Sequence, residues 1–213
     1  MGYKVGHESI DKDGISSWML AVNEKSYPYG SIEMKSNSMI DKYYFANIIH
    51  VIRDPLKAIP SIILENKYPK YNKSYNFRKE HIKKCLNINL PNIKGDDKDN
   101  FTLLQEVELA IKTYLYWNKI CEMNKPSLVI KIEDLDKLNI FNKNKIDISQ
   151  IQKTNYNSSS DKKFNNKLHN KPAIPLEIWN KINPQLKYEL NLFCNKYNYT
   201  KLNDLTHTEP LFS

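Results

Sequence analysis

Residues 48 to 63, IIHVIRDPLKAIPSII, bring together the residue types with the clearest chemical use. The chain has 32 Lys plus Arg, and of these only Arg53 and Arg78 are arginine. Lysine is a compact point charge, whereas the guanidinium is a rigid planar fork that holds a phosphate or carboxylate by two parallel hydrogen bonds. An arginine in so lysine-rich a chain marks a place where the fork matters. Ser61, eight residues after Arg53, adds a hydroxyl donor about two helical turns along. Two readings stay open for Arg53: an anion site, or an ion pair with a nearby carboxylate.

The elements around that stretch must position it. Residues 47 to 52 (NIIHVI) form a continuous apolar run of strand length, the pattern of a strand buried on both faces. Asp54 can then cap a helix whose first position is Pro55, where the missing N–H costs nothing. Arg53 thus falls at the carboxyl end of a strand, where open α/β sheets bind ligands, and beside a helix N-terminus, where anions are favoured. Pro60 removes one backbone bond from that helix. Ile15, Trp18, Met19 and Val22 follow helical spacing, and residues 101 to 123 predict a long helix with Leu104, Val107, Ile111, Tyr114, Leu115 and Cys121 on one stripe and Trp117 beside it. SLVIKI (127 to 132) reads as a second strand after Pro126. Asn183 before Pro184 starts a last helix that buries Leu186, Leu190, Phe193 and Tyr197. Strands separated by helices predict an α/β fold with a parallel sheet flanked by helices. The expectation is a single domain over 1–213, with Lys/Asn-rich loops or insertions near 66–100 and 142–172 and some helix around 78–87.

Composition narrows the function classes. A net charge of +8 invites a nucleic-acid reading, but the charge is diffuse and no nucleic-acid-binding motif accompanies it, so a highly anionic small ligand suits it as well. Cys85, Cys121 and Cys194 are odd in number and widely spaced, which predicts reduced thiols in a cytoplasmic protein, without a zinc site. No apolar run reaches the roughly eighteen residues needed to span a bilayer, and MGYKVGHESI lacks a signal-peptide core. Asp11-Lys12-Asp13-Gly14 hints at a calcium loop, but with Gly14 at loop position six the twelfth position is Leu20, where a bidentate Glu is required.

In order along the chain, four segments resemble the sulfotransferases that use 3'-phosphoadenosine 5'-phosphosulfate (PAPS). GYKVGHESIDKDGISSWMLAV (2 to 22) looks like the Gly-His-Glu…Gly-Ile-Ser-Ser-Trp segment of bacterial and carbohydrate-type members. Arg53-Asp54-Pro55 with Ser61 looks like the segment that binds the 3'-phosphate. YWNKICEMNKPSLVIKIEDL (116 to 135) is similar to the family's long helix and Glu-Asp-Leu strand, and LNLFCNKYNYT (190 to 200) to its terminal helix, with Asn198 in place of Gly. The resemblance implies a P-loop-hydrolase-like sulfotransferase fold and transfer of a sulfuryl group from PAPS, as co-substrate, to the hydroxyl of a carbohydrate or small-molecule acceptor, with no metal. It assigns cofactor binding to Arg53 and Ser61. The general base that takes the acceptor's proton would be Glu8, with His7 the second candidate, and Ser16, Ser17 and Trp18 would line the acceptor pocket. Glu8 as a cap or lysine partner and Trp18 as core stay equally open; His7 and the strand residue His50 suit structural roles.

The chain also departs from that pattern. Family members begin with a strand and a Pro-x-Ser-Gly-Thr-Thr loop that cradles the 5'-phosphosulfate, and this chain starts at Met1-Gly2-Tyr3, past the expected end of that loop. Its five glycines form no related loop elsewhere. Ile132 stands before Glu133, where cytosolic members often carry a Tyr. The expectation is therefore a truncated sulfotransferase lacking the first strand and loop. The alternatives are a non-catalytic relic that binds adenosine 3',5'-bisphosphate or an anionic partner, and a basic nucleic-acid-binding protein.

Overall fold

The computed structural model describes residues 5–7, 14–16, 26–27, 30–31, 48–67, 72–93, 101–137 and 172–205. By backbone proximity the chain forms two compact units, Met1–Ile52 with Ile120–Asn155, and Arg53–Lys119 with Tyr156–Ser213.

In the first unit, β1 (Val5–His7) runs parallel to β2 (Gly14–Ser16), and β3 (Ser26–Tyr27) antiparallel to β4 (Gly30–Ser31). β5 (Ile49–Ile52) pairs in parallel with β6 (Leu128–Lys131), Ile49 opposite Leu128 and Ile52 opposite Lys131. The ladder opens at Ile48, whose carbonyl accepts from the Ser127 amide at 2.9 Å and the Ser127 hydroxyl at 3.1 Å. Both runs of the expected parallel pair are thus in place, and the α/β character of the chain with them. β6 passes into a 3₁₀ turn, Ile132–Lys137.

Two expectations change in this unit. Ile15 lies within β2, not at the start of a helix; Gly14 and Ser16 flank it, both poor helix formers, and Ile is β-branched. The other positions of that helical spacing, Trp18, Met19 and Val22, lie outside the described residues. β5 is also not buried on both faces: Ile49 and Val51 are 47% and 54% exposed, while His50 and Ile52 are buried. An apolar run records a capacity for burial on two sides, and the layers present decide whether both are covered.

The second unit is helical: α1 (Pro55–Lys67), α2 (Asn72–Leu86), most of α3 (Leu103–Met123), α4 (Leu176–Lys181), α5 (Pro184–Lys196) and a 3₁₀ turn, Leu202–Asp204. α2 occupies much of the stretch expected to be a polar loop; it begins six residues before the helix expected near 78. The reason is its buried edge: Tyr75, Arg78, His81 and Ile82 follow i, i+3, i+6, i+7 spacing and are all buried, so a lysine-rich helix still offers a packing stripe. The Tyr75 hydroxyl donates to the Pro91 carbonyl at 2.6 Å, tying down the segment after α2.

Side-chain contacts join the helices in a chain. Arg78 of α2 meets Glu65 of α1 through two parallel contacts, Nη1 to Oε1 at 3.4 Å and Nη2 to Oε2 at 3.2 Å. Phe77 of α2 packs on Trp117 of α3, ring centroids 6.0 Å apart. The Asn183 amide at the start of α5 donates to Glu108 of α3 at 2.8 Å. The caps of α5 follow the sequence expectation: Asn183 Oδ1 accepts from the amides of Gln185 at 3.0 Å and Leu186 at 3.3 Å. At its other end Asn198 adopts φ 53°, the Tyr199 amide reaches the Cys194 carbonyl at 2.8 Å, and the Asn198 amide reaches the Asn195 carbonyl at 3.3 Å. That is a Schellman stop built on the asparagine that replaces glycine.

Candidate functional site

The candidate site is the turn from β5 into α1. Asp54 caps the helix: its Oδ1 accepts from the Leu56 amide at 2.9 Å. Its carbonyl accepts from the amides of Lys57 at 3.0 Å and Ala58 at 2.8 Å. Pro55 has no N–H to offer. Every amide of Pro55–Ala58 is therefore absent or already bonded, and a carboxylate already sits at the positive end of the helix dipole. An anion here depends on side chains more than on the helix N-terminus.

Those side chains differ in readiness. Arg53 is half-buried, and among the described residues its guanidinium has no hydrogen-bond or ion-pair partner. Its backbone carbonyl accepts the hydroxyl of Tyr114, from the middle of α3. The other arginine is committed elsewhere, since Arg78 is buried and forked onto Glu65. Ser61 donates its hydroxyl to the Lys57 carbonyl one turn back at 3.3 Å, a weak bond it must release to donate to a ligand. From Asp54 to Ser61 the helix rises roughly 10 Å, so an anion touching both Arg53 and Ser61 must lie between them along α1.

Sequence reasoning missed two residues of this site. Lys57 shares the helix face of Asp54 and Ser61 at i+3 and i−4, is exposed, and has no side-chain partner among the described residues. That spacing alone could have identified it. Tyr114 reads from the sequence as part of the buried stripe, and nothing local announces that its hydroxyl reaches a residue 61 positions earlier.

Cys194 lies on the α5 side of the same turn. Burial pushes its thiol up to about 12, with a further push from the Asp54 carboxylate, so it is a protonated, unreactive thiol near neutrality. Burial likewise raises Cys121 to about 11.

The remaining candidates lie in the N-terminal segment. His7 and Ser16 are register partners across the β1–β2 ladder. Glu8, Ser17 and Trp18 lie outside the described residues. Glu133 and Asp134 open the 3₁₀ turn directly after β6. Among the described residues no group of His, Cys, Asp and Glu could hold a metal ion, and no helix is long and apolar enough to cross a membrane. Comparison of the chain with protein-family models, with curated proteins and with solved structures finds no match.

Proposed function

We propose that the chain is a sulfotransferase-like protein of P-loop-hydrolase-like fold that binds the adenosine 3',5'-bisphosphate portion of PAPS at the Arg53 turn. The observation that carries this reading is the placement of Arg53: directly after the last residue of a parallel strand, before a capped helix, with its fork uncommitted among the described residues. Arg53 would hold the 3'-phosphate, Ser61 would add a donor after leaving the Lys57 carbonyl, and Lys57 would add charge on the same helix face. PAPS would supply the sulfuryl group, and a hydroxyl of a carbohydrate or small molecule would receive it. In this reading Glu8 would be the general base with His7 as the second candidate, and Ser16, Ser17 and Trp18 would line the acceptor pocket. Three free cysteines suit a cytoplasmic setting.

A non-catalytic binder of the bisphosphate is the second reading. In it the bound phosphate is held by the side chains of Arg53, Lys57 and Ser61 alone, since the Asp54 cap leaves the first turn of α1 without spare amides. Calorimetry tests the shared claim. The chain is expected to bind adenosine 3',5'-bisphosphate more tightly than adenosine 5'-monophosphate. Arg53→Lys is expected to reduce that preference by about tenfold or more, since a charge-assisted fork is worth roughly 1.5–3 kcal/mol. Equal affinity for the two nucleotides refutes both readings. Transfer of labelled sulfate from PAPS to a panel of hydroxyl acceptors, with Glu8→Gln as control, separates enzyme from binder.

A further inference from the structure

The Arg53 turn is held from behind by groups that the nucleotide reading leaves unassigned. Tyr114 is buried at 6% exposure and gives its hydroxyl to the Arg53 carbonyl. Its ring meets Phe193 of α5 edge to face, with centroids 5.1 Å apart at 77°, and Phe193 meets Tyr197 at 4.7 Å. The Schellman stop at Asn198 fixes the end of α5 directly after Tyr197. An aromatic ladder anchored by a helix end therefore stands behind a single hydroxyl, and that hydroxyl stands behind a single peptide. The peptide joining Arg53 to Asp54 is planar, so a hydrogen bond to its carbonyl orients the whole plane. At one end of the plane is the Cα of Arg53, which sets where the guanidinium can reach; at the other is the Cα of Asp54, the cap residue.

We infer that Tyr114 is the positioning residue of the Arg53 anion site: it touches no ligand, and its hydroxyl sets the aim of the guanidinium and hence the selectivity for a 3'-phosphate. The identity of the ligand rests on the function proposed above; the aiming of Arg53 does not. A phenol suits the task because it has two side-chain torsions and edge-on ring contacts, so little freedom remains to be lost when the hydroxyl bonds.

The test uses the full chain with arginine labelled by ¹³C at the carbonyl and ¹⁵N at Nε. Arg53 and Arg78 are the only arginines, so each label gives two signals and Arg78 serves as an internal reference for the fold. Tyr114→Phe keeps the ring and removes the hydroxyl. The Arg53 carbonyl signal is expected to shift and its Nε signal to lose order while both Arg78 signals stay in place. Affinity for adenosine 3',5'-bisphosphate is expected to fall roughly two- to tenfold, the worth of one hydrogen bond. Affinity for adenosine 5'-monophosphate should hold, a selectivity that a purely structural role for Tyr114 does not produce. If the Arg78 signals also move, the variant has repacked, and Phe193→Leu decides instead; it leaves the hydroxyl but removes its brace, and should disorder the Arg53 Nε and weaken bisphosphate binding in the same direction. An undisturbed Arg53 Nε, or an unchanged bisphosphate preference in a chain that binds the nucleotide, overturns the inference. A wild-type chain that ignores the bisphosphate while its Arg53 Nε responds to Tyr114→Phe refutes the nucleotide reading and leaves the positioning role standing.

Discussion

Asp54 does two jobs that one pair of substitutions can separate. Its carboxylate oxygen caps α1 through the Leu56 amide at 2.9 Å, and its charge belongs to the residue next to Arg53, whose guanidinium is proposed to hold an anion. The Asp54→Asn substitution keeps an acceptor oxygen in an equally good cap, whereas Asp54→Ala keeps neither oxygen nor charge. For alanine the lost cap is worth about 1 kcal/mol, which in a chain of this size lowers the melting temperature by roughly 2–4 °C. For asparagine the change in melting temperature is expected to be small. The anion affinity should move the other way. A doubly charged phosphate within roughly 8 Å of the carboxylate is repelled by about 1 kcal/mol in a water-like dielectric, so removing the charge should tighten bisphosphate binding by roughly fivefold at low salt. Added salt should erode that gain, because screening acts on the same interaction. Thermal melts and calorimetry at two ionic strengths read both effects. If asparagine destabilises as much as alanine, the cap works by charge and not through the hydrogen bond. If bisphosphate affinity ignores the loss of the carboxylate, the phosphate does not sit beside Arg53.

The Arg78–Glu65 fork should be asymmetric: Glu65→Gln, which leaves the buried guanidinium with a weaker acceptor, should cost more than Arg78→Met, which fills the same space without charge, with the difference on the order of 1–2 kcal/mol in chemical denaturation. Equal losses would place the energy in packing. Alkali provides another check, because the Cys194 thiol is raised to about 12 in the folded chain. A raised folded value favours the protonated form, so its contribution is complete below the ordinary thiol range and is lost as pH climbs toward 12. Stability should therefore fall across that window, and Cys194→Ala should flatten the fall relative to its own value at pH 8; an unchanged slope would show that burial of this thiol does not govern the alkaline limb.

Local punctuation in this chain is decided within a few residues, which is why it can be read from sequence. Asp54 before Pro55, and Asn183 before Pro184, pair a capping oxygen with a residue whose missing N–H is harmless only at a helix start; both helices begin there. Asn198 tolerates positive φ better than most side chains, and it closes α5 as expected. The apolar runs at 47–52 and 127–132 are β-branched and short, and both become strands; that they pair in parallel follows from the long helical crossover between them. The turn carrying Arg53 belongs to the same class of local information. Helix was expected around 78–87, but the start of α2 at Asn72 escaped a local reading because its packing stripe is carried by Tyr, Arg, His and Ile among lysines, where hydropathy alone shows a polar stretch.

Tertiary structure alone decided what each side chain does once in place. Two arginines of equal chemistry take different fates because a carboxylate from α1 lies within reach of Arg78, while among the described residues none meets Arg53. Ile49 and Val51 are as apolar as Ile52 yet remain exposed, since burial depends on what covers a face and not on the residues in it. Tyr114 reads as core by its spacing, and its ring is core. Only the crossing of α3 behind the Arg53 turn aims its hydroxyl at a carbonyl 61 residues away, a juxtaposition of distant backbone that no periodicity encodes.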